Sequence, residues 1–231
     1  MIAYLQFYAD ELRSINEMIE ILGNKENRVL YNLDKNVEKN CRKLLCRKGD
    51  LINCLAKVYR GKETQNNLIE SVAFYQKEWN KINDIFFKYL EKITGHKSDY
   101  DYYYCVVDPF VCGVADWGGN EIMLGVNQTS YAFSKIAAYE ITLSYIFNIL
   151  NKQKKKLTDR QKWGISECLA STLLDQDEIK NKLWKKGGKL EKINRYPELD
   201  RLQRQINLQD IDKRGFKTVL NSISKNIENF M

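Results

Sequence analysis

Histidine is almost missing from this chain. There is one in 231 residues, His96, too few for a zinc site built on paired imidazoles. Proline is scarce, at 2 residues, and glycine modest, at 12. So few turn-forming residues favour long helices over a many-turned β architecture. The six cysteines, at 41, 46, 54, 105, 112 and 168, contain no Cys-x-x-Cys pair, which argues against a zinc knuckle. With nothing marking the chain as secreted, they read as reduced thiols. The longest uncharged stretches, such as 122–134, are too short and too polar to span a bilayer. The first residues carry no basic segment before Asp10 and Glu11, unlike a signal peptide. Together these absences describe a cytoplasmic protein with no membrane partner.

What is present fits a folded chain. Apolar residues make up 44%, with 14 tyrosines, 9 phenylalanines and 4 tryptophans, a composition that excludes intrinsic disorder. The length suits one sizeable domain or a helical lobe joined to a compact second lobe. The net charge of +7 is placed unevenly. Residues 151–195 carry 13 lysines and arginines against 6 acids, an excess equal to that of the whole chain. This segment, with Lys154, Lys155 and Lys156 between helices and Lys185 and Lys186 beside Trp184, is the candidate surface for nucleic-acid phosphates or an acidic protein.

Periodicity predicts a helical first hundred residues. An apolar stripe at Ile2, Leu5, Tyr8, Leu12, Ile15, Ile19 and Leu22 predicts one helix up to Gly23. Further helices are expected over 26–48, 51–59 and 65–94. The pattern changes at Tyr100, where a run of aromatic and β-branched residues predicts a strand. Residues 111–115 and 121–126 flank Asp116-Trp-Gly-Gly-Asn as a β-hairpin. Helices follow at 131–150 and 158–174, and a last one near 209–229. The expected class is therefore α+β: mainly helical with a small antiparallel sheet. It divides into a helical N-terminal lobe, 1–99, and an α+β region, 100–231, which stand apart or run together as one domain.

Two carboxylates stand out. Glu140 falls within the stripe Ile136, Leu143, Phe147 and Leu150, and Glu167 within the stripe Trp163, Ala170 and Leu174. A carboxylate on a core-facing stripe is costly unless a cation, a metal or a set of hydrogen bonds offsets it. Two of them on successive helices are expected to meet.

The order of hairpin, helix with a central Glu, loop, and helix with Trp and Glu resembles the gluzincin-type metallopeptidases. In that group an H-E-x-x-H helix supplies two zinc-binding histidines and a glutamate that activates the metal-bound water. A second helix supplies a glutamate ligand. Here the matching segments are Tyr139-Glu-Ile-Thr-Leu143 and Trp163-Gly-Ile-Ser-Glu-Cys-Leu-Ala170. The resemblance implies that Glu140 stands at the base position and Glu167 at the ligand position. Tyr139 and Leu143 replace the histidines. The same resemblance makes 121–126, with Glu121, Met123 and Gly125, the edge strand along which a peptide would lie, within a zincin-like core. It implies a catalytically inactive relative that uses no cofactor, holds no metal and serves as a binding or regulatory module for a protein or peptide partner. The alternative is a nucleic-acid or acidic-partner binding protein working through 151–195.

Overall fold

The computed structural model describes residues 2–23, 35–111, 113–153, 156–176, 178–179, 199–206, 211 and 214–227. The chain opens with β1 (Tyr4–Tyr8), followed by α1 (Glu11–Gly23), α2 (Lys35–Arg42), α3 (Lys48–Tyr59), α4 (Lys62–Asn80) and α5 (Asn83–Thr94). Three strands come next: β2 (Tyr102–Asp108), β3 (Gly113–Ala115) and β4 (Glu121–Gly125). The helices α6 (Ser130–Asn151), α7 (Asp159–Leu174), α8 (Asp200–Gln205) and α9 (Phe216–Asn226) complete the described elements.

The first correction concerns residues 4–8, expected to be helical. Within Tyr-Leu-Gln-Phe-Tyr, Leu5 and Phe7 are buried while Gln6 is exposed, so the local apolar period is two and not 3.6. Asp10 then starts the helix, its Oδ1 accepting from the Arg13 amide at 2.9 Å. The helix expected over 65–94 is likewise two helices. The turn at Lys81 and Ile82 closes with bonds to the carbonyls of Glu78 and Trp79. It places Asn83 where its Oδ1 accepts the Trp79 indole at 2.9 Å and the Leu5 amide at 3.2 Å. Of the helix expected over 26–48, residues 24–34 lie outside the described residues; α2 and the turn at 43–46 follow. The expected end at Gly49 is instead inside the first turn of α3.

The second correction is the sheet. Its order is β1-β2-β4-β3. The three longer strands β1, β2 and β4 run parallel, and only the three-residue β3 is antiparallel, to β4. The small antiparallel sheet expected from the sequence is therefore mainly parallel. The hairpin itself is present, but β3 does not lie next to β2. β3 runs back on the far side, and β4 inserts between it and β2. Cys105-Val-Val-Asp108 and Ile122-Met-Leu124 are buried without alternation, the mark of strands covered on both faces.

One sheet face, carrying Leu5, Phe7, Tyr103, Cys105, Ile122 and Leu124, belongs to the main core. Phe7 meets Tyr75, Trp79 and Phe133 edge-on, at centroid distances of 5.8–6.4 Å. Tyr75 stacks on Phe133 at 4.5 Å, which locks α4 to α6 over the strands. The expected N-terminal lobe thus shares this core and sheet: β1 is a strand of it, and α4 and α5 pack on it. Among the described residues no helix is long and apolar enough to cross a membrane.

Candidate functional site

α6 is buried nearly all round. Ala137, Ala138, Tyr139 and the whole run from Ile141 to Phe147 are inaccessible, as for a helix lying between layers. Thr129 caps its N-terminus, accepting from the Ala132 amide at 3.3 Å. Its part-exposed positions include Ala132, Ile136, Glu140 and Asn148, which lie on one strip at multiples of four, with Lys135 next to them. Ser144 ties the helix to the hairpin turn, donating to the Asp116 carbonyl at 3.0 Å and also to that of Gly119.

α7 packs along α6 more extensively than any other pair of elements. A capping box starts it: Thr158 Oγ1 accepts from the Gln161 amide at 3.2 Å, and Gln161 Oε1 accepts from the Thr158 amide at 3.0 Å. Glu167 faces α6 and is buried. Its Oε1 accepts from the Trp163 indole at 3.0 Å, one helical turn earlier. Its Oε2 accepts from the Tyr139 hydroxyl. Each oxygen of this buried carboxylate therefore has a donor, and the two donors come from different helices. Leu143, one turn beyond Tyr139, is buried beside them and brings only hydrocarbon. The Cys168 thiol is pushed up to about 12, chiefly by burial and then by the Glu167 charge.

The structure joins Glu167 to the Tyr139 hydroxyl. Glu140 is half-buried, and its charge acts on Cys105 of β2, whose thiol is raised first by burial and second by this carboxylate. The expectation that residues 121–126 form an open edge is corrected, since β3 lies outside β4. Within β4, side chains alternate across the sheet. Ile122 and Leu124 lie in the main core with the α6 residues, while Glu121 and Met123 point to the opposite face. There Glu121 accepts from Arg13 at 2.5 Å and from the Tyr8 hydroxyl at 3.5 Å. The Gly125 carbonyl accepts the Tyr75 hydroxyl at 2.8 Å. Glu121, Met123 and Gly125 therefore do not line a groove shared with Tyr139 and Glu167.

Lys154, Lys155, Lys185 and Lys186 lie outside the described residues. Lys156 is exposed. Two neighbouring lysines are engaged internally: Lys152 pairs with Asp99, and Lys162 pairs with Asp159 at 2.9 Å and sits 5.3 Å over the Phe147 ring. His96 serves the backbone of a turn, its amide donating to Thr94 Oγ1 at 3.2 Å. Among the described residues no three histidine, cysteine, aspartate or glutamate side chains cluster as a metal site would require. The role of Trp163 as a donor was readable from its spacing of four from Glu167 on a helix. Tyr139 is a site residue expected from the sequence, and the structure sets its hydroxyl on Glu167 across the two helices. No protein-family model, curated protein or solved structure matches this chain.

Proposed function

We propose that this protein is a catalytically inactive, metallopeptidase-like binding or regulatory module. The reading rests on α6 and α7 and needs nothing of the sheet. One observation carries it: the carboxylate at the ligand position, Glu167, has both oxygens occupied by Tyr139 and Trp163. A zinc peptidase needs that carboxylate free for the metal and two imidazoles on the facing helix. Here the facing positions hold a phenol, which donates into the carboxylate, and a leucine, which has no donor atom to offer. The hydrogen bonds replace the metal as the compensation for burying Glu167, and they fix α6 against α7 without any bound group.

The test is to restore what the resemblance says is missing. Tyr139→His combined with Leu143→His rebuilds an H-E-x-x-H segment opposite Glu167. This double variant should take up about one zinc per folded chain, measured by mass spectrometry after dialysis, whereas the unaltered protein should retain none. A double variant that keeps its cooperative melt yet holds no zinc would show that α6 and α7 lack the metallopeptidase arrangement. Near-stoichiometric zinc in the unaltered protein would return a metalloenzyme to first place.

A further inference from the structure

The structure brings together two cysteines that the sequence separates by a turn and parts of two helices. Cys41 lies at the end of α2 and Cys54 in the middle of α3, and their sulfurs are 3.9 Å apart. Cys41 is fully buried and Cys54 partly exposed, while Cys46, in the turn between them, faces solvent. We propose that Cys41 and Cys54 are a dithiol pair that closes to a reversible disulfide, stapling α2 to α3 beside α1. A disulfide needs the sulfurs about 2 Å apart, so each must approach by about 1 Å, within reach of side-chain rotation and small adjustment of a two-helix turn. Cys46, though the most accessible of the three, has its sulfur in neither side of this contact.

The chemistry balances with glutathione disulfide as the oxidant. The partly exposed Cys54 thiolate attacks one glutathione sulfur, releasing one reduced glutathione and forming a mixed disulfide. The Cys41 sulfur then attacks Cys54, forming the internal bond and expelling the second glutathione. Two protein thiols are oxidised, one glutathione disulfide is reduced, and the two thiol protons end on the two glutathiones. The second step is the slow one, because burial raises the Cys41 thiol. Below that raised value the reactive thiolate grows about tenfold per pH unit, so closure should accelerate from pH 7 to pH 9.

Trypsin separates the three residues, because Lys39, Arg42, Lys43, Arg47, Lys48 and Lys57 bound the peptides 40–42, 44–47 and 49–57. The native full chain is equilibrated with excess glutathione disulfide at pH 8.5, alkylated, digested and examined by mass spectrometry. The expected product is peptide 40–42 joined to peptide 49–57, reversed by dithiothreitol. It should melt about 5–10 °C above the reduced protein, as expected for a short closed loop in a chain of this size. Cys46→Ser should leave the link intact, and Cys41→Ser should stop at a single glutathione on Cys54. A link that carries peptide 44–47 would overturn the proposal. So would complete alkylation of both Cys41 and Cys54 once the exchange has reached equilibrium.

Discussion

Glu167 shows how a single residue can carry two opposite readings until its neighbours are known. A buried carboxylate signals either a ligand awaiting a metal or a satisfied member of the core. Here Tyr139 and Trp163 donate to its two oxygens. Tyr139→Phe removes the donor that crosses between helices and should lower stability by about 1–3 kcal/mol in urea unfolding. An unchanged midpoint would mean that the bond contributes nothing net. Asp108 is the other informative residue. It is fully buried, and its Oδ1 accepts from the Phe110 and Val111 amides at 2.6 and 2.7 Å. Burial raises its affinity for a proton, against the pull of Ser14 and the two amides. Because the folded value lies above the unfolded one, the folded state holds more protons between the two. Stability is then fullest below the ordinary carboxylate range and falls as pH rises through that window. Asp108→Asn keeps an acceptor for both amides and should flatten this part of the stability–pH curve, read from melting temperatures between pH 3.5 and 7. Glu17, raised in the same direction by burial, leaves a residual slope.

At the scale of elements, the strand β1 explains why its neighbours carry amide side chains. β1 pairs with β2 on one side, which leaves the outward groups of residues 3, 5 and 7 in need of partners. Gln76 of α4 accepts from the Phe7 amide at 2.9 Å and donates to the Leu5 carbonyl at 3.1 Å. Asn83 of α5 accepts from the Leu5 amide at 3.2 Å and donates to the Ala3 carbonyl at 3.0 Å. Two side chains thus imitate a fifth strand and close that edge to any other chain. Asn83→Ala strips partners from Leu5, Ala3 and the Trp79 indole at once and should cost about 2–4 kcal/mol. Gln76→Ala lies nearer the surface and should cost less. Its signature should be faster amide exchange at Phe7 and concentration-dependent association in sedimentation, and a strictly monomeric, fully protected variant would refute the edge-cap account.

For the whole molecule, the point at issue is whether the first hundred residues are a lobe or part of the sheet domain. β1, α4 and α5 contribute a strand and the aromatic layer over it. A fragment of residues 100–231 would expose Tyr103, Cys105 and Phe133, all buried in the full chain. It should therefore show no cooperative calorimetric transition; a sharp melt would establish a second, independent domain.

Local patterns determined much of this protein. The helices α6 and α7, the hairpin around Gly118, and the burial of Glu167 all follow from spacings of two to four residues that the chain carries wherever it folds. The strand at residues 4–8 was hidden because Leu5 and Tyr8 also fit a helical stripe, and five residues are too few to separate the two periods. What only the tertiary structure decided was the pairing of distant segments: the parallel insertion of β4 between β2 and β3, the reach of Tyr139 to Glu167, and the approach of Cys41 to Cys54. Each depends on which surfaces meet once the core closes. Non-local burial sets that choice, and a residue's own neighbours in sequence do not encode it.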